Sequence, residues 1–323
     1  MVKAIRVHET GGPEALLYEE CDLSAPGPGE VQIRQHAVGV NFIDIYFRTG
    51  AYPAPKPFIP GNEGAGEIVA LGEGVTKFKI GDRVAYAGSL GGYAWARNIE
   101  AKFVVPLPDN ISYETAAAMM LKGLTAEYLL FRSYKVQPGD IVLVHAAAGG
   151  VGLIMCQWAR LLGATVIGTV GSEEKAKLAR EAGAHEVILY RSEDFVARVK
   201  EITGGKLCHV VYDSVGKTTF PGSLDCLRPF GSFISFGAAS GPIEAFNIGL
   251  LAQKGSLYAQ RPSLFNYMAD QARLTEMAAR LMEVVGSGKV KIAINARYKL
   301  EEAATAHRAL EGRDTTGATV LIP

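Results

Sequence analysis

The stretch His145-Ala-Ala-Ala-Gly-Gly-Val-Gly152 carries the strongest structural signal in the chain. A short β-rich run, Ile141 to His145, leads into it. A helical stretch with Val151, Ile154, Met155, Trp158 and Leu162 near one face leads out. Laid over the pattern G-x-G-x-x-G, the key positions are Ala147, Gly149 and Gly152. Gly149 lets the backbone approach a pyrophosphate, and Gly152 lets the helix pack closely on the strand. The unpaired N–H groups of the first helical turn then face the anion. Ala147 departs from the first glycine of the pattern, so a tight strand-to-helix turn without a ligand is the alternative reading.

Downstream the pattern alternates. Thr165–Val170 reads as a strand and Glu173–Ala182 as a helix stopped by Gly183; Glu186–Tyr190 is a strand and Asp194–Ile202 a helix ended by Gly204-Gly205. His209–Tyr212 is a strand, Phe220–Leu227 a helix and Ser232–Phe236 a strand. Strands alternating with helices predict a doubly wound parallel sheet of roughly 130 residues. The second strand ends Gly168-Thr-Val-Gly-Ser172, with no carboxylate at its tip to grip ribose hydroxyls. A 2′-phosphate held between the Gly171-Ser172 backbone and Lys175 explains that ending and points to NADPH, with Tyr190 covering the adenine side. A solvated surface lysine is the plainer reading of Lys175. Gly237-Ala-Ala-Ser240-Gly241 follows a later strand, where ligands sit in open α/β sheets. Its small side chains let a nicotinamide or its ribose lie against backbone. Val215 belongs to the same region, and Asp213 either caps a turn or serves a substrate.

Upstream, to about residue 124, short alternating runs such as Lys3–His8, Val31–Ala37 and Glu67–Leu71 are separated by Gly/Pro turns. They predict a mostly antiparallel, barrel-like domain. Ala51–Gly61 carries Pro53, Pro55, Pro57 and Pro60 and is expected to be an ordered loop. The tail reads as a long helix, Met268–Val285, a short one, Leu300–Leu310, and a strand, Thr319–Ile322, expected to rejoin the first domain's sheet.

Composition sets the bounds. A chain of 323 residues suggests two domains at roughly 150 residues each. With 33 basic and 33 acidic residues, nothing attracts a phosphate backbone over a broad surface, so nucleic acid is a poor partner. A 48% hydrophobic and 20% charged chain is not disordered. Cys21, Cys156, Cys208 and Cys226 lack the short spacing of a metal knuckle and read as free thiols in a reducing compartment. No run is long enough for a membrane span, and the first residues lack the apolar stretch of a signal peptide, so a cytoplasmic protein is expected.

Several further stretches carry a resemblance: Gly39-Val-Asn-Phe-Ile-Asp44, Pro60-Gly-Asn-Glu-Gly-Ala-Gly66, Lys79-Ile-Gly-Asp-Arg-Val84, Lys122-Gly-Leu-Thr125, Gly255-Ser-Leu-Tyr258 and Arg261-Pro-Ser-Leu264. With the glycine-rich turn, they make the chain resemble the zinc-independent quinone oxidoreductases, the zeta-crystallin-like branch of the medium-chain dehydrogenase/reductase superfamily. The resemblance implies a GroES-like catalytic domain, residues 1–124 with 265–323, and a Rossmann-type NADPH-binding domain, residues 125–264, in a homodimer. It also implies cofactor contacts from Asn41, Phe42, Tyr46 and Tyr128, and pyrophosphate contacts from Gly150 and Val151. Gly171, Ser172, Lys175 and Tyr190 are implied at the 2′-phosphate, and Gly237, Ala238, Ala239 and Ser240 under the nicotinamide ribose. Pro262, Ser263, Leu264 and Arg313 complete the implied set. Asn41 and Asn62 stand where zinc-dependent relatives have Cys and His, so no metal is expected. Glu63 and Asp44 remain there, and carboxylates in such a turn are expected to bond locally or to an arginine.

The implied activity is reduction of a quinone by NADPH, with Asn41, Tyr46, Tyr52 and Arg261 as candidates for the polar lining of the substrate site. A reductase of α,β-unsaturated aldehydes or ketones is the alternative enzyme. A non-enzymatic NADPH-binding or RNA-binding crystallin-like role is the alternative outside catalysis.

Overall fold

Val31, Ile33, Gln35 and Ala37 are buried while Arg34 and His36 are exposed, the period of two that a half-covered strand requires. From Ala37 to Val40 every residue is buried, because that part of the strand is covered on both faces. The computed structural model describes residues 1–312 and 315–323. It divides into two units: Met1–Leu124 with Tyr267–Gly288 and Ile292–Pro323, and Thr125–Asn266 with Lys289–Lys291.

The first unit begins with β1 (Val2–Arg6) paired antiparallel to β2 (Leu17–Cys21). Then come β3 (Glu30–Val40), α1 (Phe42–Thr49), β4 (Glu63–Leu71), β5 (Arg83–Ala87), β6 (Ala96–Glu100), β7 (Val104–Pro106) and α2 (Tyr113–Tyr128), whose last four residues belong to the second unit. β3 pairs antiparallel with both β4 and β6, and β4 with β5. The proline-rich loop between α1 and β4 touches the sheet structure at Phe58, which bridges to Val7.

In the second unit β8 (Ile141–Val144) runs through the glycine-rich turn into α3 (Gly150–Leu161). β9 (Thr165–Val170), α4 (Glu173–Glu181), β10 (Glu186–Leu189), α5 (Phe195–Ile202) and β11 (Cys208–Asp213) follow. After α6 (Gly222–Asp225) come β12 (Leu227–Ser235), α7 (Gly249–Gln253) and β13 (Tyr258–Gln260). The six strands are parallel in the order β10-β9-β8-β11-β12-β13. Counted from β8 that is 3-2-1-4-5-6, the doubly wound order of dinucleotide-binding folds. Its core is built from Leu143, Ile167, Ile188, Val199, Val211 and Phe233.

The helix expected over Phe220–Leu227 is shorter, because Pro221 sits at its N-cap and Leu227 already belongs to β12. The helix expected over Met268–Val285 is broken. α8 (Leu264–Met268) ends, and α9 (Gln271–Gly286) starts afresh where the Asp270 carboxylate accepts the Arg273 N–H at 2.7 Å. The tail supplies β14 (Ile294–Lys299), α10 (Ala303–Glu311) and β15 (Ala318–Ile322). β15 lies inside the first unit's sheet, antiparallel to β3 and parallel to β14.

Candidate active site

In the second unit, every segment proposed to bind cofactor follows the carboxyl end of a parallel strand, except Tyr128, which ends α2. The glycine-rich turn follows β8, Gly171-Ser172 follows β9, Tyr190 follows β10, Val215 follows β11, Gly237–Ser240 follow β12 and Pro262–Leu264 follow β13. That is the edge at which open α/β sheets bind ligands. The turn after β8 is tight: Ala146 has a φ of 53°, and a Cβ on Gly152 would stand 2.4 Å from the Ala146 carbonyl oxygen. No residue but glycine fits at 152 without moving backbone. Gly149 is the N-cap of α3, offers no side chain, and is followed by no acid in the first turn. Helices α4, α5 and α9, by contrast, are capped by Ser172, Asp194 and Asp270. An uncapped N-terminus on a twelve-residue helix presents N–H groups and the positive end of the dipole to an anion. This cradle fits a pyrophosphate.

The turn after β9 holds Ser172 as N-cap of α4, its hydroxyl accepting the Lys175 N–H at 3.4 Å. The same hydroxyl bonds Glu174 and holds its carboxyl below the ordinary range. A Cβ on Gly171 would lie 2.7 Å from the Tyr190 hydroxyl and 3.4 Å from Arg191 Nε. Tyr190 stands in the turn beyond β10, about half exposed, rather than in the strand. Arg191 therefore joins Gly171, Ser172, Lys175 and Tyr190 as a cation that sequence reasoning passed over; its only signal is a basic residue one place past the strand-end tyrosine. Arg313 lies outside the described residues.

The loops after β11 and β12 are zipped together by backbone. Ala239 N–H donates to Ser214 O (3.1 Å) and Ser240 N–H to Val215 O (2.8 Å), while Lys217 N–H donates to Gly241 O (3.1 Å). Gly237 and Gly216 permit the approach, since a Cβ on either would stand 2.6 Å from a carbonyl oxygen of the opposite loop. Asp213 is a loop builder: its Oδ1 accepts the Val215 and Gly216 N–H groups at 2.8 and 2.9 Å. Its Oδ2 accepts the Ser223 hydroxyl at 2.8 Å. Ser223 having spent its proton there, His145 Nε2 donates to Ser223 (3.1 Å) and His145 Nδ1 accepts from Thr169 (2.9 Å). Burial lowers the His145 pKa, which keeps this ring neutral. Pro262 and Leu264 are buried and Arg261 is exposed, its guanidinium donating to the Pro262 carbonyl at 3.2 Å. Tyr128, at the end of α2, is 2% exposed.

In the first unit, α1 carries two faces. Phe42 and Tyr46, one turn apart, are partly exposed, and Tyr52 packs against Tyr46 with ring centroids 5.3 Å apart. Asp44 and Arg48, also one turn apart, are buried. Asp44 accepts from Asn62 Nδ2 (2.8 Å), Asn41 N–H (2.9 Å) and the Tyr93 hydroxyl (3.0 Å). Burial nevertheless raises its pKa to about 6. With its proton given to Asp44, Tyr93 accepts from His307 Nε2 at 3.0 Å, and His307 Nδ1 accepts from Arg48 at 3.3 Å. Burial, then the Arg48 charge, pushes His307 down to about 3. Arg48 also forks onto both Glu311 oxygens at 2.6 and 3.0 Å.

Glu63 pairs with a lysine rather than an arginine. Its Oε1 accepts from Lys122 Nζ (2.6 Å) and Asn41 Nδ2 (2.8 Å), and its Oε2 from Leu121 N–H (2.7 Å). These residues do not fit zinc. Both asparagines turn amide hydrogens onto the carboxylates, and a dication there would face the Lys122 ammonium.

The GroES-like and Rossmann-type units define a medium-chain dehydrogenase/reductase architecture. Residues 27–138 match the family of alcohol dehydrogenase GroES-like domains, and residues 150–283 the family described as zinc-binding dehydrogenase. The chain is 53% identical to a quinone oxidoreductase of Pseudomonas aeruginosa, with both chains covered in full. It superposes on Escherichia coli quinone oxidoreductase complexed with NADPH with a TM-score of 0.98 and 49% identity, covering 99% of this chain and 100% of that one. A 2-haloacrylate reductase of Burkholderia is 44% identical over 100% of this chain and 99% of its own. The chain belongs to the quinone oxidoreductase family, zeta-crystallin-like members of the medium-chain superfamily.

Proposed function

We propose that this protein is an NADPH-dependent quinone oxidoreductase that works without a catalytic metal. The observation that carries the reading is the row of ligand-shaped turns along one sheet edge, centred on the uncapped α3 N-terminus, in a chain 53% identical to a quinone oxidoreductase. Bound NADPH supplies the reducing equivalents. Gly149, Gly150, Val151 and Gly152 set backbone N–H groups against the pyrophosphate. Gly171, Ser172, Lys175 and Tyr190 receive the 2′-phosphate. Val215 and Gly237–Ser240 form a floor of small groups for the nicotinamide ribose, bordered by Pro262, Ser263 and Leu264. Asn41, Phe42 and Tyr46 serve the nicotinamide side, and Tyr128 adds a further cofactor contact. Tyr46 and Tyr52 offer aromatic faces and hydroxyl groups to a flat acceptor, and Arg261 a cation to its carbonyl. Tyr46 is the candidate to place a hydrogen bond on the acceptor oxygen that gains charge.

A second reading is supported by the relative named 2-haloacrylate reductase: reduction of a conjugated carbonyl or carboxylate acceptor. A steady-state panel of ortho- and para-quinones, enones and haloacrylates at fixed NADPH decides between them. The proposal expects kcat/KM for the best quinone to exceed that for any enone or haloacrylate; the reverse order overturns it in favour of the second reading.

We further propose a homodimer through the edge strand β13. Its three residues are all exposed, Tyr258 at 65%, and Phe230 nearby is exposed at 66%. An exposed strand at the edge of a sheet, with aromatic side chains beside it, invites a second copy. Solution mass is expected at twice 34.5 kDa, with Tyr258→Lys shifting it toward the monomer; a wild-type monomer at micromolar concentration contradicts this. Among the described residues no helix is long and apolar enough to cross a membrane. Cys21, Cys156, Cys208 and Cys226 are all free thiols, which supports the reading of a reducing, cytoplasmic location.

A further inference from the structure

Three of the sequence stretches that marked the family meet at one buried point. Gly39–Asp44 supplies Asn41 and Asp44, Pro60–Gly66 supplies Asn62 and Glu63, and Lys122-Gly123 supplies the cation. Glu63 is the hub. It is fully buried, and its two oxygens take three donors: Asn41 Nδ2, Lys122 Nζ and Leu121 N–H. Room for that carboxylate exists only because residue 39 is glycine; a Cβ there would stand 2.2 Å from Glu63 Oε1 and 2.3 Å from the Ala117 carbonyl oxygen.

We propose that Glu63, charge-balanced by Lys122, is a positioning residue that fixes the Asn41 carboxamide for the nicotinamide and its acceptor. The proposal rests on the reading that Asn41 serves that site. One Asn41 N–H is committed to Glu63 and its side-chain oxygen faces the Asp44 N–H in the capping box of α1, so the amide plane is held, and its second N–H is what it can offer a ligand. A residue that orients another in this way acts through the rigidity of the hydrogen bond behind it. The Lys122–Glu63 pair is poorly explained as a staple. A buried ion pair adds little net stability over well-packed apolar residues of the same volume. What leucine and methionine cannot do in its place is hold an amide hydrogen.

The test treats the ion pair as one site. Glu63→Leu/Lys122→Met removes both charges while keeping volume, and Asn41→Ala removes the residue acted upon. Quinone kcat/KM at saturating NADPH is measured for wild type, each change and their combination. The Asn41 side-chain amide is observed by proton–nitrogen NMR in the protein without cofactor, its signals identified by their loss in Asn41→Ala. The proposal expects a tenfold or larger loss of kcat/KM on neutralising the pair, less than a twofold further loss in the Asn41→Ala background, and collapse of the distinct Asn41 amide proton shift. Equal losses in the wild-type and Asn41→Ala backgrounds overturn it, as does an Asn41 amide signal unchanged by removal of the pair. Glu63→Gln is the second variant should the double change not fold: one oxygen must then serve three donors, and an intermediate loss is expected where full activity overturns the proposal. If wild type reduces no quinone, the functional reading has failed, and the amide signal alone still decides whether Glu63 holds Asn41.

Discussion

Lys175 is where the cofactor preference can be read in a single side chain. It sits in the first turn of α4, its backbone N–H held by the Ser172 hydroxyl, four positions past Gly171, which Tyr190 and Arg191 flank, with no acidic residue at the tip of β9. A hydrogen bond to a charged group contributes about 1.5–3 kcal/mol, so Lys175→Ala should raise the NADPH dissociation constant by roughly tenfold to a hundredfold. NADH lacks the phosphate and should change by less than about threefold. Fluorescence titration of both cofactors reads this directly, and comparable losses for the two would remove Lys175 from the phosphate site. Arg191→Ala is expected to act in the same direction, since that guanidinium lies on the same side of Gly171 as the Tyr190 hydroxyl.

Among elements, α1 and α10 are joined through the Asp44–Tyr93–His307–Arg48 chain, and its two shifted groups act on stability with opposite sign. Asp44 is raised from 3.8 to about 6, so between those values the folded state holds a proton that the unfolded state has lost. Its contribution is present below pH 3.8 and is lost as pH rises through about 6. His307 is lowered from 6.5 to about 3, so over that range the unfolded state binds the extra proton and stability rises with pH. In wild type the two slopes oppose one another between about pH 4 and 6. His307→Gln removes the rising one. Urea unfolding of that variant should show stability falling by about 1–3 kcal/mol from pH 4 to 6, steeper than in wild type. A slope unchanged from wild type would mean that His307 is not lowered, and a variant whose stability does not fall over this range would mean that Asp44 titrates near its ordinary value.

The same scale shows what the chain makes legible and what it hides. The β8–turn–α3 unit is readable because local rules agree: a β-branched run, glycines at the close approaches and a one-sided helix. α4 and α5 are readable for the same reason, each opened by a side-chain cap, Ser172 or Asp194. The expected start of α9 falls too early because apolar spacing runs back through Met268 and takes no account of the Asp270 cap. The expected α6 is too long because Leu227 suits a helix core as well as a strand. The Glu63–Lys122 pair is invisible in the sequence. Its members are 59 positions apart, and neither sequence neighbourhood states which cation meets which carboxylate. Asp213 leaves two readings open in sequence; three-dimensional contacts, from Val215, Gly216 and Ser223, choose the structural one.

For the whole molecule, the parallel sheet supplies a row of backbone donors and small-residue turns, and the antiparallel unit supplies a polar cluster around Asn41 in which a lysine, not a metal, balances the buried carboxylate. Both features point to a reductase that relies on its nucleotide for chemistry and on preset hydrogen bonds for orientation. The most direct measurement is a titration of the purified, chelator-treated protein with NADPH and with NADH, followed by nicotinamide fluorescence. The account predicts saturable binding of one NADPH per chain with NADH held at least about tenfold more weakly, a difference of roughly 1.4 kcal/mol. Absence of measurable affinity for either reduced nucleotide, or recovery of binding only on adding zinc, would contradict it.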